Sequence, residues 1–148
     1  MASFLDPLIA TPLPDGKQWC VYRRLRYLSD VGVGVATTIT VNPGFVTDYA
    51  SIPQELWAIL PPWGRYGPAS VLHDWGYWQQ TLTRQQCDDV LREASLLLGV
   101  EDAIVSTIYN AVRLFGQTAW DRNTALRASG YQRMVTGPDT PPYSGIPS

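Results

Sequence analysis

Soft metal-ligating side chains are almost missing from this chain of 148 residues, which carries a single histidine and two cysteines. Cys20 and Cys87 lie far apart and form no C-x-x-C pair. That spacing excludes a disulfide framework and a zinc site, and it fits a reducing compartment during synthesis. Charge is scarce as well, at 16% of residues with a net of −2. Without a basic face the chain is not expected to bind nucleic acid. No apolar run approaches the ~20 residues that a membrane-spanning helix needs. Residues 1–17 lack the basic start of a signal peptide and contain Asp6, Pro7, Pro12 and Pro14. There is no G-x-S-x-G elbow, and Gly32-Val33-Gly34 is not followed by the Lys-Ser/Thr of a phosphate loop. One histidine is too few for an HD-type phosphohydrolase or an H-E-x-x-H protease.

What the chain does have is the composition of one packed domain, 45% hydrophobic with six Trp and eight Tyr. Trp57, Trp63, Trp75 and Trp78 crowd its middle, as a core or an amphipathic contact surface would require. The pattern predicts an α+β fold: a small antiparallel β-sheet in the N-terminal half, packed with three to four α-helices. Residues 1–17 are Pro-rich and aperiodic and read as an extended arm. Trp19, Val21, Arg23, Leu25 and Tyr27 alternate with Cys20, Tyr22, Arg24 and Arg26, as a half-buried strand does. Val33, Val35, Thr37, Ile39 and Val41 repeat the alternation. Residues 29–32 are the hairpin between the two stretches. Asn42-Pro43-Gly44 turns the chain into a short strand, Phe45 to Asp48.

Helical signals begin after Pro53. Residues 54–60 form one or two turns that Pro61-Pro62 stop. Pro68 opens a helix that runs to about Gln80. Thr83 caps the next one, 84–98, which Gly99 closes. Its apolar stripe is Cys87, Val90, Leu91, Ala94, Leu97 and Leu98. A third helix covers about 101–115, with Gly116 as its stop, and a shorter fourth covers 118–127. The single α+β domain thus spans 18–130, and 131–148 is a Pro/Gly-rich C-terminal arm.

Helical geometry gathers candidate chemistry around the lone imidazole. At ~100° per residue, His73, Tyr77 and Gln80 share a face of the 68–80 helix. The short link 81–83 sends the next helix back antiparallel, so that helix can face His73. On it Asp88 lies roughly 115° from the centre of the apolar stripe and Asp89 roughly 145°. Asp88 therefore borders the buried seam, whereas Asp89 points more toward water. An imidazole held by a partly buried carboxylate can act as general base. Asp74 points a quarter-turn away, toward Trp63-Gly64-Arg65-Tyr66-Gly67. Carbonyls of that loop with one carboxylate can make a hard-cation site of the calcium type.

Two resemblances bear on these residues. The helix pair resembles that of the secreted phospholipase A2 superfamily, in which an H-D-x-x-Y helix precedes a helix bearing a second Asp. This resemblance covers about 30 residues and implies His73 as base, Asp88 as its orienting partner, Tyr77 as a hydrogen-bond donor to Asp88 and Asp74 as a calcium ligand. The chain departs from that family by lacking the Y-x-G-x-G calcium loop and the disulfides, and by a shorter gap from histidine to second aspartate. A wider resemblance rests on Gly44-Phe45-Val46-Thr47-Asp48-Tyr49-Ala50-Ser51-Ile52-Pro53, Pro62-Trp63-Gly64, Tyr66-Gly67-Pro68-Ala69 and Leu72-His73-Asp74-Trp75-Gly76-Tyr77. It continues through Thr83-Arg84, Asp88 and Tyr109-x-x-Val112-Arg113-x-x-Gly116. Over roughly residues 18–120 the chain is similar to the bacteriophage and prophage family labelled domain of unknown function 1353. That similarity implies a viral origin and an α+β fold, and no established activity.

Each residue also has a structural role open to it. His73 can be a core histidine bonded to Asp88 or Asp48. Asp48 can cap the turn into the 53–60 helix, or serve as a further metal ligand or a partner of His73. Asp74 can be a capping acid, and Tyr77 and the Trp cluster can simply be core. Two function classes follow. The expected one is a virion component, in the tail or connector, made in the host cytoplasm and partnered by other phage structural proteins, since arms that order on assembly suit particle subunits. The alternative is a phage-encoded hydrolase acting on phospholipid esters through a His73–Asp88 dyad with a divalent cation, calcium by the family resemblance.

Overall fold

A computed structural model describes residues 1–32, 36–48, 52–58 and 64–135. Val33, Val35, residues 49–51, Trp63 and positions 136–148 of the C-terminal arm lie outside the described residues.

The expected α+β architecture is present, with the strands in the N-terminal half. Among the described residues the strands form two small antiparallel sheets where one was expected. β1 (Ser3–Phe4), β4 (Leu25–Ser29) and β5 (Thr37–Val41) form the first, in the order β1-β4-β5. β2 (Ala10–Pro12), β3 (Trp19–Val21) and β6 (Val46–Thr47) form the second, in the order β2-β3-β6. The alternating stretch 18–28 is broken at residues 22–24, and its two halves pair in different sheets. The register Leu25↔Val41 through Ser29↔Thr37 sets β4 against β5. Leu25, Tyr27 and Ser29 are buried while Arg26 and Leu28 are half-buried, the period of two that the sequence carries.

The N-terminal segment is extended but far from loose. It lends β1 to one sheet and β2 to the other, and Asp6 accepts a two-pronged bond from Arg26, at 2.8 and 3.0 Å. Pro12 sits on the edge strand β2, where its missing N–H costs no ladder bond. Gly44 is needed where it stands: its φ is +93°, and a Cβ there would meet the Val135 carbonyl oxygen at 2.3 Å. That closeness lets residues 133–135 close over the second sheet, with Val46 N donating to the Arg133 carbonyl and Val135 N to the Gly44 carbonyl.

A 3-10 turn at Gln54–Ala58 stands for the expected short helix. α1 (Gly67–Gln79) follows with Pro68 in its first turn, as expected. α2 (Arg84–Leu97) starts with a full capping box, Thr83 and Gln86 each bonding the other's backbone. α3 (Asp102–Phe115) and α4 (Gln117–Ala128) complete the bundle. α1 is the central element, with Ala69 through Asp74, Tyr77 and Trp78 all buried. It packs closely on α2 at Gly76, where a Cβ would sit 2.7 Å from Cys87 Sγ. The α2 stripe is buried at Cys87, Val90, Leu91 and Ala94. Leu98 is half-buried against the core as well, and of the expected stripe Leu97 alone is exposed.

Candidate functional site

The α1–α2 crossing positions the first cluster. His73 and Tyr77 are one turn apart on α1, and Asp88 opposes them from α2, one turn after Arg84. His73 Nε2 lies 2.7 Å from Asp88 Oδ1, and the Tyr77 hydroxyl donates to the same oxygen at 2.7 Å. Asp88 Oδ2 accepts from Arg113 Nη1 of α3 at 2.7 Å and from Arg84 Nη1 at 3.4 Å. Arg84 also donates to the Val112 and Arg113 carbonyls. Four donors on three helices thus converge on one carboxylate, and neither His73 nor Asp88 has any exposed surface. The Tyr77 ring packs on the imidazole with centroids 4.2 Å apart.

The electrostatics follow from that saturation. Burial by itself would raise the Asp88 carboxyl, but the bonds from His73, Tyr77 and Arg113 outweigh it and hold its pKa below the ordinary value. Because an ionised carboxylate only accepts, His73 Nε2 is the donor, and any proton transfer by this ring must run through Nδ1. Burial and the Asp88 charge push the Tyr77 hydroxyl up. Burial, aided by Asp88, pushes the Cys87 thiol up to about 12, so Cys87 is no thiolate nucleophile at neutral pH. Asp89 is the outward acid, bonded to the Tyr109 hydroxyl at 2.7 Å and to Arg92.

Asp74 forms a second cluster behind the first. Its Oδ2 accepts from the Thr47 hydroxyl of β6 and lies 3.5 Å from Arg133 Nη1. Arg133 Nη2 reaches Asp48 Oδ2 at 3.3 Å. One guanidinium therefore bridges the two carboxylates expected as metal ligands. The side chain of Asp74 reaches Thr47 of β6 and Arg133, and makes no hydrogen bond to residues 64–67 of the loop expected beside it. In that loop the Gly64 and Tyr66 carbonyls are spent on Gly67 N and Ser70 N. Among the described residues no three metal-ligating side chains come together. A calcium ion wants six to eight oxygens, so two acids already sharing a guanidinium are a poor fit for one. Burial raises the Asp74 carboxyl; Arg133 pulls it down and Asp48 pushes it up again, leaving it above the ordinary value.

A cleft of about 270 Å³ opens beside this cluster, walled by Asp74, Phe115, Thr118, Arg122, Asn123 and Arg133 among others. Asp74 lines it and His73 does not. Gln80, expected on the His73 face, turns to α4 and donates to the Trp120 carbonyl at 3.0 Å.

Sequence reasoning assigned no role to Arg84, Arg113, Arg133 or Thr47. Arg84 had a usable signal, since it precedes Asp88 by four residues on one helix. Arg113 and Arg133 had none: they reach their acids across 25 and 59 residues of sequence.

No curated protein and no solved structure matches the chain. No helix among the described residues is long and apolar enough to cross a membrane. The model of one family, "Protein of unknown function (DUF1353)", matches residues 19–112, a span that holds His73, Asp74, Tyr77, Arg84 and Asp88 together with the strands and helices around them. With more than half its length matched, the chain belongs to the DUF1353 family.

Proposed function

We propose that this chain is a bacteriophage protein, made in the host cytoplasm and carried in the virion as a tail or connector component, whose His73–Asp88 network is a brace. The observation that carries the reading is the saturation of Asp88. A catalytic aspartate that orients a general base gives its charge to the imidazolium; Asp88, itself without exposed surface, divides its charge among Arg113, Arg84 and a fully buried His73. Such a fully bonded polar knot fixes how α1, α2 and α3 dock. Leu114 and Phe115, 74% and 68% exposed at the end of α3, suit contact with other phage structural proteins. Mass spectrometry of purified particles of the encoding phage is expected to find the chain in stoichiometric copies. Its absence from them would overturn the reading.

One observation favours a second reading, a hydrolase of phospholipid esters. His73 Nε2 and the Tyr77 hydroxyl meet on one Asp88 oxygen, the layout that the phospholipase A2 resemblance implies. In that case His73 Nδ1 takes the proton of the attacking water, and a divalent cation such as calcium must displace Arg133 from Asp74 and Asp48. Fatty-acid release from mixed phospholipid vesicles, with calcium and with chelator, separates the readings. Release by the wild type that calcium supports and His73→Gln abolishes would establish the hydrolase; equal background release from both proteins would end it.

A further inference from the structure

The four donors on Asp88 leave that carboxylate fully bonded, but the cleft beside it holds one that is not. Asp74 is 1% exposed, its Oδ2 is bonded, and its Oδ1 is buried without a hydrogen-bond partner. A buried carboxylate oxygen without a donor is expensive, and here it belongs to a residue on the cleft wall. The cation beside it, Arg133, is shared with Asp48, so Asp74 has only part of one positive charge. Burial raises this carboxyl while Arg133 and the Thr47 bond favour its charged form; in that form the unbonded oxygen is an acceptor that lacks an N–H or O–H.

The same cleft carries an unspent cation. Arg122 is exposed on α4 and, among the described residues, makes no hydrogen bond or ion pair. It lines the cleft together with Arg133. Asn123 donates to the Tyr77 carbonyl from the same wall, and Phe115 forms an apolar lip. A space just under the usual pocket range of about 300–1,000 Å³ admits a small molecule.

From these features we infer that the cleft between α4 and residue 133 binds a small zwitterion, its primary ammonium held by Asp74 and its anionic group by Arg122. The inference is independent of the brace reading of His73 and Asp88. An ammonium supplies the donor that Asp74 Oδ1 lacks, and it brings a full positive charge to an acid that has only a share of one. The anionic end then meets a wall cation that no carboxylate among the described residues engages.

Calorimetry or NMR titration of the full chain tests this with four probes. Ethanolamine phosphate and β-alanine carry an ammonium and an anion, choline phosphate has the same charges with no N–H, and inorganic phosphate supplies the anion alone. The two ammonium zwitterions are expected to bind, and choline phosphate and phosphate to bind at least about tenfold more weakly. Asp74→Asn and Arg122→Ala are each expected to weaken the zwitterions by about tenfold or more, and Arg122→Lys to restore most of the loss. Arg122 is exposed, so its variants test the anion end without touching the buried Asp74. Vesicles with ethanolamine headgroups give the source: retention that free ethanolamine phosphate competes away identifies a lipid headgroup, and binding of free probes alone identifies a soluble ligand. Equal binding of choline phosphate, binding unchanged in Arg122→Ala, or no zwitterion binding at millimolar concentration would each overturn the assignment.

Discussion

Replacing Asp88 with asparagine keeps the side chain's shape and removes the charge on which three helices converge. In Asp88→Asn one carbonyl oxygen must serve His73, Tyr77, Arg84 and Arg113, and the new amide brings N–H donors of its own into a donor-rich site. Hydrogen bonds to a charged group are worth roughly 1.5–3 kcal/mol each, and a buried donor left unmade costs about 1–3 kcal/mol. The arginines count for less, because their side chains are 15% and 30% exposed and can turn to water, and Arg84 keeps its two carbonyl partners. One or two of the buried donors, on His73, Tyr77 and the introduced amide, then go unsatisfied. That puts the loss at about 3–4 kcal/mol, within the ~3–5 kcal/mol of a broken buried ion pair. With a urea slope of about 2 kcal/mol per M, the unfolding midpoint should fall by roughly 1.5–2 M. The loss has a pH signature as well. The folded Asp88 pKa is depressed below the ordinary 3.8, so its contribution is whole above about pH 4 and is lost as pH falls through the folded value. Wild type and variant should therefore converge in acid. A difference under about 1 kcal/mol at pH 7, or one that stays constant to the lowest pH measured, would refute the brace.

Asp74→Asn should act in the opposite sense. Asp74 is buried against Thr47, Arg133, Asp48 and His73, and its folded pKa is raised; a raised group stabilises below its unfolded pKa and loses that contribution as pH rises through the folded one. Removing its charge should therefore raise the melting temperature at pH 7, with the gain disappearing near pH 4. Equal effects at both pH values in thermal melts would contradict it. At the α1–α2 crossing, Gly76→Ala drives a methyl to 2.7 Å from Cys87 Sγ and should cost about 1–3 kcal/mol by overpacking. Cys87→Ala in the same chain should recover more than half of that, read as a double-mutant cycle in urea; no recovery would place the strain elsewhere.

The parts of this molecule that are legible in its sequence are those set by local chemistry. Thr83 announces a helix cap, Pro68 a helix start, and the 3.6-residue period puts Asp88 at the seam and Asp89 outside it. Those rules act over one turn, and the helices obey them. The strands are less legible, because 19–21 and 25–29 share a single alternating pattern yet pair in different sheets. Period two tells which side chains are buried and is silent on which strand lies alongside. The pairing of the N-terminal segment is hidden for a related reason: β1 and β2 are two and three residues long, too short to show periodicity, and gain their order from β4 and β3. The site divides in the same way. His73, Tyr77 and Asp88 can be found because helix spacing brings them together, whereas Arg113 and Arg133 arrive from distant segments whose sequence marks them only as charged.

Asp74 and Asp88 are the same residue type, both buried, on helices that touch, and their carboxyls shift in opposite directions. Burial opposes ionisation of both and does so more strongly at Asp74, where the Asp48 charge adds to it. The donors differ as well: Asp88 has donors on both oxygens, and Asp74 has them on one. A saturated carboxylate makes a brace, since every approach to it is occupied and removing it leaves its partners stranded. A half-saturated one holds free energy in reserve, which a ligand with the missing donor can release and a neutral substitution would release for stability instead. This chemistry puts the binding capacity of the molecule at Asp74, one residue after the histidine that first draws the eye.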